Sequence, residues 1–471
     1  MPTQHSKIIY ASCKEYVHPW SDSCVSATAG LGLHALQESL RIYSTVYFVT
    51  LLMKGKVPTV SDVRKTMLGI LQSTAFLSWS SFTYSMFICS IRRALGNFNV
   101  LSVSFFPSFL SSLSAIIIER PSRHTLLCLY VSNIATETLF RMGVWRGYYS
   151  VVPHGEVYIF AASMAALFYL SRSHCNKSDS IYRVIRYISG PYEEPEYLEK
   201  SLKSQRPESS VREQSPPDNE RPGPSRVAGK KSSRSPFLVV WQALKAYEHI
   251  INRIKGQYRH SSCPHPFSCS HYILSGGVKL FGIGIGAQLG LQLILQARKM
   301  IRRPQLLKST IFRKRNLNLA IFLGGFTALY RLMSCSLRRA CNKDSKYHAI
   351  PAGLVASIAF VMYPNNTVAL YVMWKALQLL WNREVENGRV PEVKWFSKFL
   401  YCFSTALLFH AAIIEPQNLR LSYWKFLHNL SGGRLATMSR VPLDGFGYES
   451  SKHLQDVLKK SQTTDQNTYS F

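Results

Sequence analysis

The stretch FLSWSSFTYSMFICSIRRA, from Phe76 to Ala94, lies without gaps on FLGGFTALYRLMSCSLRRA, from Phe322 to Ala340, at a constant shift of 246 residues. Phe, Leu, Tyr, Cys, Ser, Arg, Arg and Ala recur at the same places. Upstream, His18-Pro19-Trp20-Ser21 falls opposite His265-Pro266-Phe267-Ser268, and downstream Tyr130, Ala135 and Gly147 fall opposite Tyr371, Ala376 and Gly388 at a shift of 241. Matches that keep one order over so long a stretch point to an internal duplication.

Both copies sit in a chain with long stretches free of charge. The longest run from Thr66 to Ile91, Ala94 to Ile118, Leu280 to Ala297 and Ala349 to Trp374, each roughly long enough to cross a hydrocarbon layer of ~30 Å as a helix. Shorter runs, Thr125 to Thr136, Val157 to Ser171, Leu317 to Tyr330 and Phe399 to Phe409, become spans if a charged residue is tolerated near one end. Val25 to Met53 is apolar but carries His34, Glu38 and Arg41 in its first half. Many of these runs are rich in Ser, Thr, Gly and Cys, which suits close helix packing in lipid, and Gly282, Gly284, Gly286 and Gly290 supply a row of small residues. The expected fold is an all-α integral membrane protein with two related halves of about five transmembrane helices each. An odd number per half, joined by a linker on one side, makes the second copy an inverted repeat of the first, whereas four or six spans per half would make the copies parallel.

The boundaries follow from composition. Residues 1–24 form a Cys/His-containing N-terminal segment, 25–171 the first membrane half, 172–262 a linker, 263–415 the second membrane half and 416–471 a C-terminal tail. Pro191 to Ser235 is dominated by Pro, Ser, Glu, Lys and Arg and cannot bury enough apolar surface to offset its ordering entropy, so the linker is expected to be mostly disordered. Its Ser-Pro steps at Ser215 and Ser235 are candidate phosphorylation sites.

The chain holds 471 residues, with 56 Lys plus Arg against 26 Asp plus Glu and a formal charge of +30. Such a balance suits nucleic acid only if the basic residues stripe a soluble domain. Here they bracket uncharged runs and crowd the linker, where they orient the chain and meet anionic headgroups. The lipid bilayer is therefore the expected partner and nucleic acid is not. The first twenty residues carry no apolar core of signal-peptide type, so insertion through internal segments is expected.

No catalytic constellation appears: there is no Walker loop, G-x-S-x-G elbow or H-E-x-x-H pair, and the glycines at 282–286 lack the preceding strand of a dinucleotide site. Neither an enzyme nor a cofactor is expected. The ten cysteines lack paired C-x-x-C spacing, which argues against a disulfide framework. Cys13, His18 and Cys24, with Cys263, His265, Cys269 and His271, are zinc-type ligands, but their spacing is that of no known finger. Reduced structural cysteines without metal are expected, with a single joint Cys/His site as the alternative.

Charges at membrane depth are costly and are usually paired or functional. Glu137 and Arg141 lie four apart in ATETLFRMG, on one helical face, and Glu38 and Arg41 lie three apart. In the second half Gln378 and Asn382 stand opposite Glu137 and Arg141. These residues either line a polar track for an anionic or amphiphilic solute or hold helices in register. Glu119, Glu156 and Glu415 end apolar runs and are expected at the interface.

HPWSDSC from His18, ALQESLRIY from Ala35, ILQSTAFL from Ile70, ATETLFRMGVWRG from Ala135, HAIPAGLVA from His348, LRLSYWKFL from Leu419 and SKHLQD from Ser451 together resemble the transmembrane protein 135 family, also called peroxisomal membrane protein 52. The stretch Asn365 to Glu392 is also similar to the 24 kDa peroxisomal membrane protein, grouped with the Tim17-type superfamily. The resemblance implies a multi-pass protein of mitochondrial and peroxisomal membranes. It further implies a role in promoting fission through a dynamin-related GTPase, in peroxisome organisation and in lipid metabolism. A transporter or channel for an anionic or amphiphilic metabolite, such as a fatty acyl species, is the competing expectation. Whether the chain forms a homo-oligomer is not indicated.

Overall fold

The computed structural model describes residues 8–53, 58–173, 179–193, 249, 251–302 and 315–463. The Ser/Pro-rich stretch with Ser215 and Ser235 lies outside them, as does Cys175.

The first half opens with helices α1 (Cys24–Met53) and α2 (Val60–Leu95). Thr59 starts α2 through a reciprocal capping box with Asp62, satisfying two otherwise orphaned backbone donors. A shorter helix, α3 (Phe105–Ile116), follows, then α4 (Pro121–Trp145) and α5 (Gly155–Ser173). Pro121 stands at the first position of α4, where its missing N–H costs nothing. After α6 (Ser180–Ser189) the order recurs. It runs through α7 (Cys269–Arg302), α8 (Arg315–Cys341), short α9 (Ala349–Ala356) extended by a 3-10 stretch at Ser357–Met362, α10 (Asn366–Glu386) and α11 (Phe396–Ile414).

Helix stops repeat in register with the sequence. Gly96 ends α2 at φ +72° and Asn342, 246 residues on, follows α8 at φ +49°. Gly147 and Gly388, related by 241, take φ +78° and +70° after α4 and α10. Such left-handed positions favour Gly and tolerate Asn.

The chain divides into two compact units, one made of Met1–Pro153 with Asn366–Phe471 and the other of His154–Asn365. In the first unit α1 packs on α2, α2 on α3, α3 on α11, α11 on α4, and α4 on α10. In the second, α7 packs on α8, α8 on α9, and α9 on α5. Each half's fifth helix thus covers the short third element of the other half. Phe160 of α5 stacks on Phe360 with ring centroids 4.1 Å apart, and Phe168 on Tyr330 at 4.0 Å.

The segment after Ile414 is folded. Helix α12 (Leu421–Ser431) packs on α1 and buries Trp424 completely. Leu454 and Val457 of α13 (Ser450–Ser461) join the core formed by Tyr16, Phe98, Ile116, Ile134 and Ile413. The one strand pairing among the described residues is a two-residue antiparallel match, Ile8 with Asn99 and Ile9 with Phe98. It ties the N-terminal segment to the turn after α2.

Among the described residues, three helices have the length and composition to cross a membrane: Cys269–Leu293, Leu317–Cys341 and Phe396–Ile414. That is fewer than the ten expected, and the reason is local. The run Ala94 to Ile118 is broken at Gly96 and by the Asn99 capping box, and Ala349 to Trp374 is broken at Tyr363. Thr66 to Ile91 is one helix, but its Ser, Thr and Cys dilute its hydropathy.

The glycine row also reads differently in three dimensions. Gly284 approaches the Ala320 backbone so closely that an added Cβ would lie 2.6 Å from its Cα, whereas Gly282, Gly286 and Gly290 meet nothing within 4 Å. Close α7–α8 packing rests on Gly284, with Gly324 against Phe281, not on the i, i+4 row. Gly284→Ala is expected to lower stability by about 1–3 kcal/mol through overpacking. Gly286→Ala should be neutral or gain up to about 1 kcal/mol of helix propensity. Thermal unfolding of both variants in detergent checks this; equal shifts would refute the assignment.

Candidate metal centres

Capping places the first Cys/His set. Ser12 and Glu15 form a reciprocal capping box that starts the short helix Cys13–Tyr16, putting Cys13 at its head. Pro19 follows His18 and cannot extend that turn, and the backbone bends so that His18 Nδ1 lies 2.8 Å from the Ser21 carbonyl. Cys24 is the first residue of α1. Cys89, near the end of α2, completes the group. The second set is built likewise. His265 Nδ1 lies 2.6 Å from the Phe267 carbonyl, Cys269 heads α7, Cys335 comes from α8 and Cys263 precedes the loop.

In each set the three sulfur atoms and one imidazole nitrogen lie within 4.8 Å of one another. Both histidines are 1% exposed. In the second set Cys263 and Cys269 Sγ are 3.8 Å apart and Cys335 Sγ is 3.6 Å from His265 Nε2. The Cys89 thiol holds Cys13 down to about 4 by hydrogen bonding, and Cys335 does the same for Cys263.

The six candidate ligands are thus brought together, but not as a single joint site. Each triplet is completed within its own unit by a cysteine that spacing alone did not nominate, and His271 belongs to neither set. The signal for Cys89 and Cys335 was present: they are the matched cysteines of the repeated stretch. Local spacing hides the likeness, since Cys13, His18 and Cys24 are far more widely spaced than Cys263, His265 and Cys269.

Beside the second set lies a buried ionic centre. Arg338, one turn beyond Cys335 and wholly buried, donates from Nη1 to Glu193 at 3.0 Å and from Nε to Asp344 at 3.0 Å. Arg172 grips Asp344 through two bonds of 2.8 and 2.7 Å. Tyr272 and Tyr330 hydroxyls both donate to Glu193 at 3.4 Å. The repeat-related Arg92 instead donates to the Ala11 carbonyl at 3.1 Å, so each set has an arginine one turn beyond its helical cysteine.

The pair of Glu137 and Arg141 is larger than the sequence indicated. Glu137 is buried, accepts from Arg141 at 2.5 Å, and takes a second arginine, Arg420, on its other oxygen. Arg420 lies 283 residues away, beyond the reach of any helical spacing rule. Glu119 and Glu415 are also buried, paired with Arg123 at 3.3 Å and Arg146 at 2.5 Å. Glu38 and Arg41 form a 3.6 Å pair with Arg41 exposed. Gln378 accepts from Lys375 at 3.0 Å, and with Asn382 it lines a cleft of about 810 Å³ walled by Trp374, Trp381 and Phe396.

Burial opposes ionisation of Glu193 and Asp344, but Arg338 and Arg172 outweigh it and hold both carboxyls below their usual values. A depressed carboxylate stabilises the fold above its unfolded pKa of ~4 and loses that contribution as pH falls through the native value. Stability is therefore expected to hold at neutral pH and fall on acidification below about pH 4. Glu193→Gln should flatten that acid limb. Arg338→Ala, which strands a buried carboxylate, should cost about 3–5 kcal/mol. Thermal unfolding across pH 3–7 checks both; an unaltered acid limb in Glu193→Gln would refute the assignment.

No solved structure matches the chain. Residues 10–144 match the family model for the N-terminal cysteine-rich region of Transmembrane protein 135, a stretch that contains all four residues of the first Cys/His set. With the motif blocks distributed from His18 to Asp456, this match supports assignment of the chain to the transmembrane protein 135 family.

Proposed function

We propose that this family member is a multi-pass protein of mitochondrial and peroxisomal membranes that regulates mitochondrial dynamics. In this reading it promotes dynamin-related fission and contributes to peroxisome organisation and lipid metabolism. It acts as a membrane scaffold, engaging the lipid bilayer and, through its cytosolic parts, the fission GTPase. Family membership supports the process. The observation that favours a scaffold over a conduit is the closure of the buried carboxylates. Glu137 is held by two arginines, Glu415 by Arg146 and Asn418, and Glu193 by Arg338. A carboxylate so engaged is a structural tie, and removing one partner costs more than the pair contributes.

One observation favours transport of an anionic or amphiphilic metabolite such as a fatty acyl species. The short apolar helices Val100–Ile116 and Lys346–Met362 occupy corresponding positions of the two halves. Paired interrupted helices of this kind mark the binding site in many duplicated transporters.

The two readings separate in one pair of measurements. A scaffold predicts no flux of fatty acyl species in proteoliposomes and loss of mitochondrial fission when residues 205–235 are deleted. A transporter predicts flux that survives this deletion and disappears in Glu137→Gln with Arg141→Gln.

A further inference from the structure

We propose that the two Cys/His sets are resident zinc sites, one in each unit, which pin the segment ahead of each half to the second helix of that half.

The donor chemistry comes first. Three thiols and an imidazole match the Cys₃His composition of closed structural zinc sites, in which all four positions are taken by protein. Zinc bonds of ~2.3 Å to sulfur and ~2.0–2.1 Å to nitrogen place tetrahedral donors about 3.8 Å (S to S) and about 3.6 Å (S to N) apart. The second set shows 3.8 Å between Cys263 and Cys269 and 3.6 Å between Cys335 and His265.

The histidines supply an independent observation. In both sets Nδ1 is bound to a backbone carbonyl two or three residues on, which fixes the tautomer and turns Nε2 toward the sulfurs. A carbonyl partner on the far nitrogen is the usual support of a metal-bound imidazole. His18 Nε2 is buried and makes no hydrogen bond among the described residues. A buried, unpartnered ring nitrogen is costly unless something accepts its lone pair. A cation at the centre of the set does so.

Duplication supplies the third. Loop spacings differ between the sets, yet the same four donor types converge in both, each with a cysteine heading the first helix and a cysteine late in the second. Core packing alone gives no reason to keep an imidazole against three thiols twice over. With all four positions taken by protein, these sites hold structure rather than react with substrate.

The full-length chain purified in detergent without chelator is expected to carry one zinc per set, two per chain, by elemental analysis. Cys89→Ser and Cys335→Ser should each halve that content and together abolish it, while His271→Ala leaves it unchanged. Because a cysteine variant can lose its fold, the wild-type chain exchanged with Co²⁺ gives a second readout: the visible absorption of tetrahedral thiolate-bound cobalt. Stoichiometric zinc lost set by set, with that spectrum, supports the assignment. Wild-type protein without stoichiometric zinc, with Cys263 and Cys269 joined as a disulfide, or with zinc unchanged in the double variant would overturn it.

Discussion

A helix of 12 residues such as α3 is about 18 Å long, well short of the ~30 Å apolar thickness of a bilayer. Each half of this protein places such an element third among its five. A short apolar helix cannot satisfy its ends in lipid unless protein surrounds it, and the surrounding is done by exchange: α11 lies against α3, and α5 against α9. Compact units that cut across the sequence halves follow from this requirement, since a half keeping its own fifth helix would leave the other's short element bare.

Buried charge follows the same logic. Glu119, Glu137, Glu193 and Glu415 lie in places where an isolated carboxylate would be prohibitive, and arginine meets each of them. Three of these ties are reached from distant parts of the chain, Arg420 to Glu137, Arg146 to Glu415 and Arg338 to Glu193. Ion pairs of this kind add little net stability against apolar substitutes but punish any arrangement that separates them, so they select one packing of helices that are otherwise greasy and interchangeable. Part of the high basic content of the chain thus serves its interior.

The helical class was legible in the sequence because it rests on local and periodic signals. The number of spans was not, since a charge-free run looks continuous whether or not Gly96 or Tyr363 breaks it. Of the two Cys/His sets, three ligands each were visible from residue type; Cys89 and Cys335 were hidden among helix-packing cysteines until the repeat paired them. Arg420 had no sequence signature at all. Contacts that close over hundreds of residues carry no spacing rule, and those are the contacts that complete both the ionic centres and the exchanged helices.

The exchange also sets a clock on biogenesis. Ile116 ends α3 and Phe396 begins the helix that covers it, so at a synthesis rate of about 5–20 residues per second the short helix waits roughly 15–60 s for its cover. During that interval the flank of α3 that α11 covers stays open. A chain terminated anywhere before α11 never leaves that state.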